Sequence, residues 1–119
     1  MTHAYRKGWA GEHEIEGIFR EYGLDVDRVP NSGGLKWKGD LTGLDGFSVE
    51  VKRQERVRVV EWLEQAREQA EPDETPLLIF RPNRKPWTVA IDLHDFLDLL
   101  LASGQVRPNS QDDADDDEE

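Results

Sequence analysis

Three ionisable side chains in one short stretch carry most of the chemistry available to this chain: Asp40, Glu50 and Lys52, within LKWKGDLTGLDGFSVEVKR at residues 35–53. Phe47, Val49 and Val51 alternate with Ser48, Glu50 and Lys52, and a period of two marks a strand with one apolar and one polar face. Glu50 and Lys52 therefore share a face. Whether Asp40 joins them depends on register, because a slip of one residue moves a side chain to the other side of the sheet. A two-residue loop at Asp45-Gly46 sets Asp40 opposite Val51. A three-residue loop, Leu44-Asp45-Gly46, with a type I turn and Gly46 in the left-handed region, sets Asp40 opposite Glu50. Directly opposed carboxylates repel. With a divalent cation between them they become a binding site, since Mg²⁺ takes oxygen ligands from one or two carboxylates together with water and phosphate.

The elements that must position these groups follow in order. Gly11, Ile15, Ile18, Phe19 and Tyr22 recur at helical spacing and predict a helix over residues 6–22, stopped by Gly23. Its Glu12, Glu14 and Glu16 compete for the place of a third carboxylate, and Glu12 lies nearest the apolar stripe, on a ridge with Ile15 and Phe19. A strand is expected over residues 24–30, then the turn Asn31-Ser32-Gly33-Gly34, where the Ser32 hydroxyl and its backbone neighbours suit either a phosphate or a plain turn. Trp37, between Lys36 and Lys38, suits stacking on an unpaired base or a lid on the core. Past the hairpin, Val59, Trp62, Leu63, Ala66 and Ala70 mark a second amphipathic helix ended by Pro72, with Gln65 and Gln69 on its flank. Residues 76–82 and 86–92 read as strands around an Asn83-Arg84-Lys85 turn. Asp92 is placed to cap a last helix with Leu93, Phe96, Leu97, Leu100 and Leu101, ended by Gly104. Leu99 and Leu101 are surplus to what one buried face needs. The order αβββαββα implies an α/β fold with a mixed central sheet flanked by helices.

At 119 residues the chain is long enough for one core. It lacks cysteine, which excludes disulfides and thiolate metal sites. No apolar run reaches the length of a membrane span and the start lacks a signal-peptide core, so a soluble, cytoplasmic protein without a membrane partner is expected. His3, His13 and His94 show no ligand spacing. The net charge of −11 runs against nucleic-acid binding until its distribution is considered. Seven of the last eight residues are acidic; the remainder sets 15 basic against 19 acidic residues, a net of −4. The basic residues gather as Lys36 and Lys38, then Lys52, Arg53, Arg56 and Arg58, then Arg81, Arg84 and Lys85. These clusters flank the hairpin and the next strand end, where a DNA backbone would lie; a salt-bridged, solvated surface is the competing reading. We divide the chain into a domain over residues 1–104 and a disordered acidic tail over residues 105–119.

Lys7-Gly8-x-x-x-Glu12, Arg28-Val29-Pro30-x-Ser32-Gly33, Asp40 and Glu50-Val51-Lys52, in this order and spacing over about residues 6–92, resemble the PD-(D/E)xK nuclease superfamily and, within it, the archaeal and phage Holliday junction resolvases. The resemblance implies a restriction-endonuclease-like core and a phage-encoded origin. It selects Glu12 as the third carboxylate. Asp40 and Glu50 would then bind Mg²⁺, with Mn²⁺ able to substitute, and Glu12 would complete or orient the shell. Lys52 would position the attacking water or stabilise charge on the phosphate. Ser32 would act at the phosphate, and Arg28, Ser32, Lys36, Lys38, Arg53 and Arg56 would contact DNA. The implied activity is hydrolysis of four-way junctions by a homodimer, since a junction has two strands to cut symmetrically. The alternatives are a related nuclease acting on flaps, nicks or duplex DNA, and a non-enzymatic acidic DNA mimic or interaction module. A mimic needs charge but no lysine at a fixed offset. We expect the three-residue loop, with Asp40 and Glu50 on one face.

Overall fold

Period-two and helical segments alternate along the chain, and the computed structural model, which describes residues 3–28 and 40–105, shows them as a three-layer arrangement. Among the described residues the order is α1 (His3–Glu21), β1 (Asp27–Arg28), β2 (Leu41–Thr42), β3 (Phe47–Arg53), α2 (Val59–Gln69), β4 (Thr75–Arg81), β5 (Thr88–Ala90) and α3 (Leu93–Ala102). The five strands form one sheet in sequence order. β3 and β4 are parallel and every other pair is antiparallel. A parallel neighbour cannot be reached by a hairpin, and α2 is the crossover that joins the two. The mixed, helix-flanked α/β sheet is therefore the architecture expected.

The in-step register of the parallel pair, Val49↔Leu77 and Val51↔Ile79, sends four aliphatic side chains to one face. There they pack with Leu41 and with Ile15 of α1. Leu78, one residue out of phase, lies on the other face with Trp62, Leu63 and Ala66 of α2. α1 and α2 thus cover opposite sides of the sheet. Leu78 has no exposed surface, and truncating it to alanine should cost about 2–5 kcal/mol by loss of burial and creation of a cavity.

The chain departs from expectation in several places. Among the described residues the first strand starts at Asp27 rather than at Leu24, although Val26 just before it is fully buried. In α1, Ile15 is buried and Phe19 packs on the core, but Ile18 and Tyr22 face outward. β3 is not half-exposed as its alternation implies: Ser48 to Val51 are all buried, because α2 covers the face that carries the polar residues. Asp92 does not cap α3 with its side chain. Its carboxylate instead accepts from Arg67 of α2, at 2.6 Å from Nη2 and 3.1 Å from Nε. That pair holds the start of α3, while no residue along α3 is buried. No helix of the described residues is long and apolar enough to cross a membrane.

Candidate active site

The β2–β3 connection decides what Asp40 faces. Leu41 pairs with Val49, which sets Asp40 opposite Glu50, the register that the three-residue loop implies. Gly46 has φ +87°, and the Phe47 N–H donates to Leu44 O at 3.2 Å to close the turn. Gly43, at φ +102°, is required for a second reason: a Cβ there would stand 2.4 Å from the carbonyl oxygen of Asp25. The hairpin therefore lies tight against the segment entering β1.

Asp40 is fastened at both ends. Its backbone N–H donates to Val49 O at 2.6 Å, and its Oδ2 accepts the Val51 N–H at 2.7 Å. The carboxylate thus satisfies a strand donor beyond the short β2 ladder, which fixes its orientation along β3. Burial raises the Asp40 pKa, opposed by the Val51 hydrogen bond, by Lys52 and by a hydrogen bond with Glu12. Glu50, 5% exposed, is pushed up to about 7, first by burial and then by the charge of Asp40, against the pull of Lys52. Lys52 Nζ is 3.5 Å from Glu50 Oε2, as their shared strand face implies. Glu50 Oε1 is buried and has no hydrogen-bond partner.

The three glutamates of α1 divide into three tasks. Glu12 is the one that reaches the cluster. Its pKa is raised to about 7, first by burial and then by Asp40, with Glu50 adding to the rise and Arg28 opposing it. The contact between the two carboxyls raises Glu12 and lowers Asp40, while burial raises both. Glu16, one turn on and 8% exposed, accepts the Arg28 N–H at 2.6 Å and so ties α1 to β1. Glu14 faces elsewhere and accepts from Arg81 and from the Trp87 indole, each at 3.0 Å. Burial pushes Glu14 up, but those two hydrogen bonds and the Arg81 charge prevail and lower it.

The expected cationic contacts are distributed unevenly. Arg28 Nη1 lies 3.7 Å from Glu12 Oε1 and joins the cluster. Arg53 lies on the face opposite Lys52, its Cβ close against Gly11 of α1. Arg56 is exposed in the β3–α2 connection. Ser32, Lys36, Trp37 and Lys38 lie outside the described residues, as does the acidic end of the chain. Sequence reasoning did not assign tasks to Glu14 and Glu16. The signal available was their spacing from Glu12: four residues keep Glu16 on the same face one turn on, and two residues turn Glu14 to the other side of the helix.

The donor set is oxygen-only and suits a hard cation. Among the described residues no group of three such side chains converges closely enough to chelate one ion together. The fit is to a site with Asp40 and Glu50 as opposed ligands and Glu12 bonded to Asp40 beside them. The unpartnered, buried Glu50 oxygen and the two carboxyls driven towards neutrality are what an added positive charge would relieve.

Comparison with known proteins bears on the family and the fold. The family described as phage putative PDDEXK endonuclease matches residues 3–112. Protein D14 of Escherichia phage T5 is 27% identical, over 89% of this chain and 82% of its own length. Among solved structures, Hjc of Archaeoglobus fulgidus, a Holliday junction resolvase from an archaeal hyperthermophile, superposes with a TM-score of 0.53 at 16% identity. The superposition covers 71% of this chain and 76% of that one. At that identity the likeness establishes a shared fold.

Proposed function

The chain belongs to the phage PDDEXK endonuclease family, and from that premise we propose that it is a Mg²⁺-dependent endonuclease that resolves four-way DNA junctions. The observation that carries the reading is the Glu12–Asp40–Glu50 cluster, with Glu50 buried, Glu12 and Asp40 half-buried and Lys52 at its side. Buried like charges are costly without a counter-ion, and a bound Mg²⁺ would supply positive charge to the scissile phosphate and lower the pKa of a water.

The chain's own groups do the rest. The Val51 N–H holds Asp40 in one orientation, and the strand fixes Glu50 opposite it. Arg28 and Asp40 hold Glu12 at the edge of the cluster, and Glu16 fixes the backbone of Arg28. The Lys52 ammonium, held beside Glu50, orients the attacking water and stabilises charge that builds on a non-bridging phosphate oxygen. The site residues in this reading are Asp40 and Glu50 as ligands, Glu12 as the adjoining acid and Lys52 as the catalytic cation. Ser32, Arg28, Lys36, Lys38 and Arg56 are proposed DNA contacts. Mn²⁺ is expected to replace Mg²⁺ because the ligands are all oxygen.

We further propose that the chain acts as a homodimer inside the cell, where its DNA lies. A two-fold pair would present two such sites to the two strands of a junction, and α3 supports this with Leu93, Phe96, Leu97, Leu99 and Leu101, all exposed. Purified protein incubated with Mg²⁺ and labelled four-way, flap, nicked and linear DNA tests the substrate. Paired cuts on the junction support resolution. Cuts confined to flap, nicked or linear DNA make it a nuclease of another branch. Cleavage of none of them refutes the endonuclease reading and favours an acidic interaction module.

A further inference from the structure

We propose that the β3–α2 connection and the β4–β5 turn together form a second phosphate-contact surface, which takes the backbone of a DNA arm beyond the scissile step. The inference rests on the nuclease reading above and extends it to residues outside the carboxylate cluster.

Most arginines of the described chain are already committed. Arg20 donates to Val26 O and Asp27, Arg58 pairs with Glu61, and Arg67 pairs with Glu64 and Asp92. Arg81 pairs with Glu14 and stacks over the Trp87 ring at 5.1 Å. Against that background Arg56, Arg84 and Lys85 are exposed and, among the described residues, form no ion pair. Unpaired exposed cations that gather on one surface are the electrostatic footprint of a phosphate backbone, whatever its sequence.

The topology is what gathers them. β3 and β4 are parallel and end together at the pair Arg53↔Arg81, so the segments that follow leave the same edge. They are tied there by Gln54 N–H to Arg81 O at 3.3 Å and by Asn83 N–H to Glu55 Oε2 at 2.7 Å. The turn itself is unusual: Arg84 has φ +64°, the single positive-φ non-glycine among the described residues. A left-handed arginine is strained where glycine would be free, and the side chain at this tip is exposed. Asn83 Oδ1 and Arg53 Nε, both at this end of the sheet, are buried without a partner, so polar capacity is left over at the base of the surface.

Lys52 pairs with Phe80, and Arg84 follows four residues later, beyond the end of β4. At about 3.3 Å per extended residue those four residues span at most about 13 Å, and the turn shortens that reach. Arg84 and Lys85 thus stand off the strands that carry the carboxylates and suit phosphates further along the same arm. Because these groups meet only phosphate, they add affinity and position without reading bases.

The test uses full-length protein, a labelled four-way junction, and Ca²⁺ in place of Mg²⁺ to prevent cutting. Arg84→Gly removes the cation while keeping a backbone that glycine adopts without strain, and Lys85→Gln removes the neighbouring charge. Each should weaken junction binding several-fold at low salt and reduce the slope of log Kd against log salt by about one, and the double variant by about two. Slopes and affinities equal to wild type would overturn the second surface while leaving the nuclease reading intact. Failure of the wild-type protein to bind any DNA would overturn both.

Discussion

Two regions of this molecule place residues against their own chemistry, in opposite directions. Around Asp40 and Glu50 the fold buries acidic groups under α2 and against α1, while on α3 it exposes a run of leucines to water. The first region is internally well fastened: Asp40 is bonded to Val51 and to Glu12, and Glu50 lies beside Lys52. The second is held chiefly at its start, by Asp92 on Arg67. A partly buried carboxylate cluster is relieved by added positive charge, whereas an apolar helix with no buried residue leaves hydrophobic surface in water.

The comparison breaks most visibly at the carboxylates. Asp40→Asn or Glu50→Gln should lower Mg²⁺-dependent cleavage by at least about 10²-fold, an effect of the size seen when one charge-stabilising group is removed. Junction binding in Ca²⁺ or EDTA should persist in the same variants, because neutralising an acid also lowers its repulsion of phosphate. Cleavage at near wild-type rate by either would remove the assignment. On α3 the expected effect is on assembly. Leu97→Asp and Leu93→Asp put charge on side chains that are 40% and 66% exposed, so folding should survive while association is lost. Sedimentation should show a dimer for the wild type and a monomer for the double variant, and a wild-type monomer at high micromolar concentration would exclude this role for the helix.

A third expectation sharpens the contrast through pH. The carboxyls of Glu12 and Glu50 are raised from an ordinary 4.5 to about 7, chiefly by burial and next by the charge of Asp40. Between those values the folded state holds more protons than the unfolded one, so stability falls as pH rises. Metal-free protein should therefore lose thermal stability on going from pH about 5 to about 8, with Glu50→Gln flattening part of the decline. The lowered acids Glu14 and Asp92 act in the other sense, but their contribution is lost only as pH falls through values below the usual carboxylate range. Added Mg²⁺ should raise the melting temperature more at the alkaline end, where the carboxylates are ionised. A melting temperature that rises with pH across this window would contradict the buried cluster.

Much of this was legible in the residues because it is local. Gly46 and the alternation in β3 reduce the register to two choices, and the Leu41↔Val49 pairing is the one expected with Asp40 opposite Glu50. The apolar stripe of α2 was equally plain, since Trp62, Leu63 and Ala66 are its buried residues. What was not legible depends on neighbours distant in sequence. The burial of Glu50 comes from α2 crossing the polar face of β3, the withdrawal of Asp92 from its capping position comes from Arg67, and Glu14 finds its partners in Arg81 and Trp87. Periodicity reports a face but not what covers it. The leucines of α3 illustrate the same limit, for their spacing predicts a buried stripe and the isolated chain leaves it open.

The smallest effect concerns the acidic end of the chain, where DDADDDEE follows a body whose described residues include Arg56, Arg84 and Lys85, exposed and in no ion pair. If this segment visits the surface formed by Arg56, Arg84 and Lys85, it competes with non-specific DNA there and leaves a junction, with more contacts, favoured. Exposed charges are screened beyond about 8 Å at physiological salt, so the competition should be evident only at low ionic strength. Truncation after Asn109 should then tighten binding to linear duplex by about two- to threefold, more than to the junction, with the gap closing as salt is added. Combining the truncation with Arg84→Gly and Lys85→Gln should abolish the gain, because the tail would have lost the cations it covers. Equal duplex affinities for full-length and truncated protein at the lowest salt would leave the acidic end as a solubilising segment, and leave the cationic edge open to DNA at all times.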